Sequence, residues 1–394
     1  MGLFEKIFGK APAPQGYGAP YQLLTGYCPV WTSWGGKLYE NELVRSAIGV
    51  RATHISKLRV DIQGTAQPRL KSALLRGPND WQTWGQFLYR VSTILDMQNT
   101  VFVVPLLDEF DRICGIFPVL PDLCEIVDFE GEPWLRYHFS NGKVGSIEMW
   151  RCGIMTKYQY EDDFFGASNR ALTPTMDLIH IQNQGITEGV KNSVTYRFWA
   201  KLNNLTKAED LTKERQRFTR ENLEGDNRGL LLFPSTYSDI NQVNAKPFVI
   251  DADQMAAIRQ NVNTYFGVND DILQNKAYGD KWSAFYEGVV EWFAIQFSDV
   301  LSQMLFTPAE RARGARIVLT ANQLQYMSNE DKYKISTGMA DRGIMNRDEI
   351  RAMWNLPPLP DGQGQVYTIR GEYYLLAQNG DVIRKEDDLT SGAK

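Results

Sequence analysis

The hydrophobic residues of this 394-residue chain change their spacing twice, and this change restricts the possible folds more than any single motif. Up to about residue 98, apolar residues recur every three or four positions, as in helices that bury one face. Residues 100–157 instead contain short runs rich in β-branched and aromatic residues, separated by the polar turns DEFD, FEGE and SNGK. After Gly185 the helical spacing returns. The pattern predicts an α+β body with an antiparallel sheet.

Two helices and one further strand are marked around this sheet. Residues 40–60 are predicted to form a helix with one apolar face: Val44, Ala47, Ile48, Ile55 and Leu58. Asp80 is the expected N-cap of the next helix, whose apolar positions are Trp81, Trp84, Leu88, Val91 and Leu95. The run MDLIHIQN, Met176 to Asn183, is predicted to be a strand.

The segment that follows Gly185 is polar and charged. Residues 201–228 interleave seven basic and six acidic residues, which is typical of a solvated helix with ion pairs and not of a DNA-binding patch. Residues 228–250 are predicted to add two or three strands, and Asp251 to cap another helix.

The apolar face of the helix predicted from Trp282 to Phe306 is too wide for a free surface helix. Its members are Phe285, Val289, Trp292, Phe293, Phe297, Val300, Leu301 and Met304. Such a helix has to lie between other elements or between subunits.

A helical hairpin is predicted from Ser328 to Leu356. Ser328 caps its first helix, and Gly343 ends that helix. Asn346 and Glu349 form a capping box for the second helix, which places Trp354 on its apolar face and ends before Pro357-Pro358. A strand hairpin around Asn379-Gly380 is predicted beyond it.

Composition and motifs exclude several classes of function. A net charge of −5 argues against a tight, static nucleic-acid binder but allows brief contact with DNA. The four cysteines show no CxxC pair, which favours reduced thiols, and the three histidines are isolated. No apolar run reaches the length of a membrane span, and the start of the chain is too polar for a signal peptide. Neither a phosphate-binding loop nor a GxSxG or HExxH motif occurs.

A few weaker signals favour structural roles. The acid pairs Asp162-Asp163, Asp251/Asp253 and Asp270-Asp271 could hold magnesium, but they are more typical of caps and loops. The arginines of RARGAR, residues 311–316, could contact phosphate but more often form a solvated helix end. The PPLP run could be a polyproline ligand, although no second such motif accompanies it.

The order of these segments resembles the portal proteins of tailed bacteriophages, specifically the HK97-like family, from about residue 40 to 365. The matching stretches are NELVRSAIGVRATHISKL, GPNDWQTWGQFLYRVSTILDMQNTVFVV, PVLPDLCEIV, DLIHIQNQG, YFGVNDDILQNKAYGDKWSAFYEGVVEWFAIQFSDVLSQML and RGIMNRDEIRAMWNLPPLPDG. Asn269 stands where the family commonly has proline after FGV.

The resemblance implies a portal fold: an α+β wing, a two-helix stem, a small α/β clip, a long kinked helix with a tunnel loop, and a helical crown. The expected parts, in chain order, are the N-terminal arm 1–39, wing 40–186, stem helices 187–206 and 251–266 around the clip 207–250, tunnel loop 267–283, wing 284–327, and crown with C-terminal hairpin 328–394.

The resemblance also implies functional surfaces. The tunnel loop would contact double-stranded DNA without reading its sequence, through Gln274, Asn275, Lys276, Tyr278 and Lys281. Subunits would meet through Phe285, Trp292 and Phe297 of the long helix and through the wing. The clip would dock partners through Lys213, Arg217 and Arg220. No catalytic, cofactor or metal residue is expected.

The implied assembly is a ring, usually of twelve subunits, at one capsid vertex of a virion made in the host cytoplasm. Its partners would be further copies of the chain, the major capsid protein, the terminase large subunit and a head–tail adaptor, with no membrane. Two other hypotheses stay open: a monomeric α+β ligand-binding protein, suggested by ten tryptophans and eighteen tyrosines, and a nucleic-acid enzyme that uses the acid pairs.

Overall fold

The computed structural model describes residues 22–26, 38–194, 198–202, 208–220, 237–242, 252–277, 279–320, 329–354, 356–369, 375–376 and 382–383. The chain divides into two compact units. The first comprises residues 1–173 and 259–394, and the second comprises residues 174–258.

Helices and strands follow one another in the first unit as the change in spacing predicts. Its N-terminal part contains β1 (Gln22–Gly26), α1 (Glu42–Ile55), β2 (Arg59–Gln63), α2 (Pro68–Arg76), α3 (Trp84–Gln98), β3 (Thr100–Leu107), β4 (Ile113–Val119), β5 (Cys124–Phe129), β6 (Glu132–His138), β7 (Val144–Glu148) and β8 (Gly153–Thr156).

The second unit contains α4 (Thr173–Val194), β9 (Phe198–Leu202), α5 (Ala208–Phe218) and β10 (Tyr237–Gln242), and α6 (Ala252–Tyr265) leads back into the first unit. The rest of the first unit contains α7 (Asp270–Leu273), α8 (Asp280–Phe285), α9 (Trp292–Leu305), α10 (Pro308–Ala312), β11 (Arg316–Thr320), α11 (Asn329–Asp341), β12 (Arg342–Asn346), α12 (Arg347–Met353), β13 (Tyr367–Ile369), β14 (Leu375–Leu376) and β15 (Val382–Ile383).

All described strand pairs are antiparallel, which confirms the predicted α+β class. The sheets of the first unit have the orders β1-β5-β6-β7, β4-β3-β8, β11-β2 and β12-β13-β14-β15. Residues 22–26 were expected to belong to an N-terminal arm. They instead pair with β5, so this part of the arm belongs to the sheet.

The main core lies between the sheet β4-β3-β8 and the sheet β1-β5-β6-β7. Phe102, Val104 and Leu106 of β3 pack with Ile126 of β5 and Leu135 of β6. Every residue of β3 is buried, because α3 also packs against this strand. Each Å² of apolar surface removed from water contributes about 25 cal/mol to the free energy of folding, so this fully buried central strand is a main source of stability.

The long predicted helix exists, and its apolar face is covered within the subunit. A π-helical turn, Tyr286–Glu291, joins α8 to α9. Phe297 stacks on Phe293 and lies 6.2 Å from Phe87, ring centre to ring centre. Phe285 is 5% exposed and Phe297 0% exposed, so neither offers a surface to another subunit. These two residues were expected at a subunit interface because the apolar face of the helix looked too wide to be covered within one subunit. Other elements of the same subunit cover Phe285 and Phe297, whereas Trp292 is half-buried.

Three expectations about local structure are wrong. Thr83 and not Asp80 caps α3, in a capping box with Gln86, and Trp81 lies outside the helix and is 52% exposed. Met176 to Asn183 is helical and lies within α4. The predicted stem helix 187–206 therefore differs as well, because α4 begins at Thr173 and ends at Val194, and residues 198–202 form β9.

The charged segment of the second unit, residues 201–228, is described only in part. Residues 208–218 form helix α5, whereas Lys201 and Leu202 belong to β9, which pairs with β10 in an antiparallel ribbon. The predicted helix 251–266 is confirmed by α6, although Asp251 lies outside the described residues.

The C-terminal helices confirm the predicted capping. Asn346 accepts a hydrogen bond from the amide of Glu349, whose carboxylate accepts one from the amide of Asn346. Strand β12 joins the two helices and contains Gly343. Trp354 was expected in the core but is 39% exposed, because α12 already ends at Met353. Ser328 and the turn at Asn379-Gly380 lie outside the described residues, but β14 and β15 pair as predicted.

Candidate functional site

The segment that follows α6, residues 266–277 and 279–281 (the loop segment), overlaps the predicted tunnel loop 267–283 and contains the short helix α7. Gly267, with φ of +68°, ends α6 in a Schellman motif. The amide of Val268 donates to the carbonyl of Asn263 at 2.9 Å, and that of Gly267 donates to Thr264 at 3.0 Å. A Cβ at Gly267 would lie 3.1 Å from a methyl of Val289 in the π-helical turn, so side chains crowd this corner.

Helix α7 ends in the same way as α6, at a residue with positive φ. Asn269 caps α7 by accepting a hydrogen bond from the amide of Ile272 at 2.9 Å. Asn275, with φ of +56°, ends α7, and the amide of Lys276 donates to the carbonyl of Asp271 at 2.7 Å. Val268 and Ile272 are buried, so the segment is fastened at its base.

The predicted DNA-contacting side chains lie at the exposed end of this segment. Gln274, Asn275, Lys276 and Lys281 are exposed, whereas Tyr278 lies outside the described residues. The ammonium of Lys276 donates to the side-chain oxygen of Gln274 at 2.7 Å, and Lys281 forms an ion pair with Asp271. Both lysines therefore already have local acceptors, which favours weak and exchangeable contacts with phosphate.

A buried group of charges holds the base of the loop segment. Arg51 of α1 donates a hydrogen bond to the carbonyl of Phe266 and pairs with Asp96 of α3 at 2.9 Å. Lys157 pairs with the other oxygen of Asp96 at 3.1 Å. The side chains of Arg51, Asp96 and Lys157 are only 5%, 1% and 12% exposed. Burial lowers the pKa of Lys157, against the opposing charge of Asp96.

The buried side-chain amides of Asn99 and Asn169 form hydrogen bonds that connect the end of α3 to α6. Asn169 donates to the carbonyls of Asp96 and Met97 at 3.1 and 2.8 Å and accepts from Asn99 at 2.7 Å. Its oxygen also accepts a hydrogen bond from the hydroxyl of Tyr265 at 2.6 Å. Burial raises the pKa of Tyr265 to about 12, so this hydroxyl keeps its proton at neutral pH. The last residue of α6 is thereby tied to the end of α3.

Aromatic packing holds the other end of the loop segment. Trp282 is buried, and its ring lies 5.6 Å from the ring of His54 on α1. Burial, with the nearby charge of Lys57, lowers the pKa of His54 to about 4. A neutral imidazole therefore packs here at pH 7, and α1 contacts both ends of the loop segment.

The predicted partner-docking residues are exposed in the second unit. Lys213 and Arg217 lie on α5, and Arg220 follows its end. Arg217 forms an ion pair with Glu214 at 2.8 Å. An exposed charged helix of this kind is compatible with electrostatic docking, which depends on salt.

The acidic residues and cysteines were the remaining candidates for a metal or active site. No three His, Cys, Asp or Glu side chains among them are arranged to hold a metal ion. The carboxylate of Asp162 accepts backbone hydrogen bonds from Phe164 and Phe165, and that of Asp270 accepts one from Asn263 at 2.9 Å. No helix in the described part of the chain combines the length and apolar character of a membrane span. Cys114, Cys124 and Cys152 form no disulfide bond in the described part of the chain, which does not include Cys28.

The model of the phage portal protein family matches residues 42–355. This chain belongs to the phage portal protein family. The family predicted from the order of segments is thus confirmed, and membership of this family supports a portal role. No curated protein sequence matches this portal chain.

Three solved structures are similar to the portal chain. A chain in the neck of an empty gene transfer agent particle, described with C6 symmetry, is 15% identical over 84% of this chain and 96% of that chain, with a TM-score of 0.59. A chain in the neck of the native particle, described with C12 symmetry, is 16% identical over 85% and 97%, with a TM-score of 0.56. An HK97-family phage portal protein from Corynebacterium diphtheriae is 13% identical over 72% and 93%, with a TM-score of 0.48. The first two likenesses show a shared fold.

Sequence reasoning missed the buried charges of the portal chain, although a signal was present. Arg51 lies three residues after Ile48 and four before Ile55, on the apolar face of α1. A charged residue on such a face is rare unless it is paired. Asp96 next to Leu95 on α3 could have been proposed as its partner, but the contact with the carbonyl of Phe266 has no signal in the sequence.

Proposed function

We propose that this chain forms a ring, usually of twelve copies, at one vertex of a capsid, through which double-stranded DNA is packaged and later ejected. The observation that carries this proposal is the family match over residues 42–355. The chain then acts in the virion, is made in the host cytoplasm, and serves as a structural conduit with no catalytic reaction or cofactor of its own.

Symmetry in related particles and exposed apolar side chains support the ring. The similar neck structures are described with C6 and C12 symmetry. On α4, Leu178 and Ile181 lie three residues apart on one face and are 51% and 61% exposed, which is typical of a surface that contacts another protein. A closed ring places such a surface against a second copy.

The mass of the purified chain in solution tests the ring. Light scattering after size-exclusion chromatography should give about twelve times the 45.0 kDa chain mass, and negative-stain images should show rings. A stable monomer at high concentration would instead favour the ligand-binding alternative, for which the exposed rings of Trp150 and Tyr160 are the best candidates.

The loop segment is proposed to line the channel. Its base is held by Arg51 and by packing at Trp282, while its exposed end carries polar side chains with local partners. Each lasting lysine–phosphate contact adds about 0.9 to the salt slope of binding to duplex DNA, and a ring multiplies that effect. Weak contacts are therefore needed for DNA to move, and a steady base is needed for the loop to keep its place.

Replacing Gln274–Tyr278 by a Gly-Ser linker should leave ring assembly intact but reduce the length or retention of packaged DNA. Glycine at position 275 suits the left-handed conformation of Asn275, so the turn can still form. The matched control replaces the exposed β6–β7 turn, residues 140–143, in the same way. If capsids that contain the loop variant package and retain DNA of normal length, these side chains have no role in the channel and the segment only links two helices.

Partners are proposed to dock on the second unit. Lys213, Arg217 and Arg220 are exposed there, and this charged surface would contact the terminase large subunit and later the head–tail adaptor. The capsid protein would surround the ring elsewhere. Pull-down of the motor by a variant with these three cations reversed tests the docking surface, and undiminished capture would argue against it.

A further inference from the structure

A second basic surface lies on the first unit, away from the loop segment in sequence. We name Arg59, Arg311, Arg313 and Arg316 the arginine surface; all four are exposed. Strands β2 and β11 pair in a two-stranded ribbon, with Arg316 opposite Gln63 and Thr320 opposite Arg59. The inner face of this ribbon carries Ile62, Ile317 and Leu319, which are buried, so both ribbon arginines lie on its outer face.

Close packing brings the remaining arginines beside this ribbon. A Cβ at Gly64, just after β2, would lie 2.8 Å from the Cα of Ala315, just before β11. Gln67 donates hydrogen bonds to the carbonyl of Leu305 and to the carboxylate of Glu310, both at 3.1 Å. Helix α10, with Arg311, is therefore held against the connection from β2 to α2, and Arg313 follows directly in the turn to β11.

The charge of this region is opposite to that of the chain. Residues 59–71 and 307–320 contain six Lys and Arg against two Asp and Glu, a net charge of +4, whereas the whole chain has −5. Both acids are engaged locally. Glu310 accepts hydrogen bonds from the amide and the hydroxyl of Thr307 at 2.9 and 3.0 Å, and Asp61 accepts one from Gln63 at 3.3 Å. Local positive charge on an acidic protein marks a surface for an anionic partner.

Geometry and polarity favour duplex DNA over a protein partner. The register places Arg59 and Arg316 four residue pairs apart, or about 13 Å along the ribbon. The major groove of duplex DNA is about 12 Å wide, so the two guanidinium groups can reach phosphates on both of its sides. The outer face offers only the half-buried Val318 as an apolar side chain, whereas the centre of a protein interface is usually apolar.

We propose that the arginine surface binds the phosphate backbone of double-stranded DNA without reading its sequence. Guanidinium groups pair with phosphate oxygens through two parallel hydrogen bonds, and no base contact is required. The inference takes its ligand from the proposed function but rests on residues other than the loop segment. It gives the portal chain a DNA contact that does not depend on the channel.

The test measures the binding of full-length protein to two fluorescent 40-base-pair duplexes of unrelated sequence over a range of salt concentrations. The variant Arg59→Gln/Arg311→Gln/Arg313→Gln/Arg316→Gln keeps a hydrogen-bonding side chain at each position. Its salt slope should fall by about 0.9 for each lost phosphate contact, and its affinity at 0.1 M salt should fall about tenfold or more. Both duplexes should respond alike.

The matched control removes four exposed cations elsewhere on the first unit, as Lys143→Gln/Lys334→Gln/Arg342→Gln/Arg347→Gln. It makes the same change in net charge and should keep the slope of the unmodified protein. Equal slopes in the two variants would overturn the proposal. So would a loss of rings in the arginine variant with unchanged DNA binding, because the surface would then contact a second copy. A Lys276→Gln/Lys281→Gln variant in the same assay reports on the loop separately.

Discussion

Asp96→Asn should lower the free energy of unfolding of the portal chain by about 3–5 kcal/mol. The substitution keeps the shape of the side chain but leaves Arg51 and Lys157, both largely buried, without their shared carboxylate. An unpaired buried charge costs several kcal/mol because the interior solvates it poorly. Unfolding in urea, followed by circular dichroism, measures the loss.

Two further variants show whether the loss of stability comes from the unpaired buried charges. Asp163→Asn removes an exposed carboxylate and should change stability by less than about 0.5 kcal/mol. Arg51→Met should cost less than Asp96→Asn, since a Lys157–Asp96 pair remains, but it should speed amide hydrogen exchange at Gly267 and Val268. The stability deficit of Asp96→Asn should shrink between pH 7 and 10, because Lys157, whose pKa burial already lowers, can then lose its proton. An Asp96→Asn protein as stable as Asp163→Asn would show that these charges do not hold the site together.

Gly166→Ala should destabilise the first unit by about 3 kcal/mol or more, at the upper end of overpacking effects. The added Cβ would lie 2.1 Å from the carbonyl oxygen of Lys157 and 2.3 Å from that of Asn99. These are backbone atoms, and the amide of Lys157 donates to the carbonyl of Asn99 at 2.8 Å, so neither atom can move without breaking the network under the loop segment.

Gly338→Ala is the matched control for this substitution. Gly338 lies in α11 with no atom within 4 Å of its added Cβ, so alanine should stabilise the helix by about 0.5–1 kcal/mol. Thermal unfolding of both variants should therefore shift in opposite directions. If Gly166→Ala leaves the midpoint of thermal unfolding unchanged, the backbone around Asn99 can move to accommodate the added methyl group, which would contradict the prediction.

Local sequence determined most helices and strands, because the residues that start, end or favour each of them lie within or next to it in the chain. The capping box of Asn346 and Glu349 closes within four residues, and runs of β-branched and aromatic residues mark β3 to β7 without reference to distant parts of the chain. The same locality misled the interpretation of Met176 to Asn183, where apolar side chains are dense enough to fit either spacing. Met176 and Ile179 are buried while Leu178 and Ile181 are exposed, which is the helical choice.

Tertiary structure alone decided how the loop segment is held. Arg51 meets the carbonyl of Phe266 across 215 residues of sequence, and Asp96 meets Lys157 across 61. Charge pairing and hydrogen bonding act over a few ångströms in space, so a sequence can mark such residues as unusual but cannot name their partners. The order of helices, strands and caps was therefore set by the sequence, whereas the buried charges that fasten the loop segment became visible only once the chain had folded.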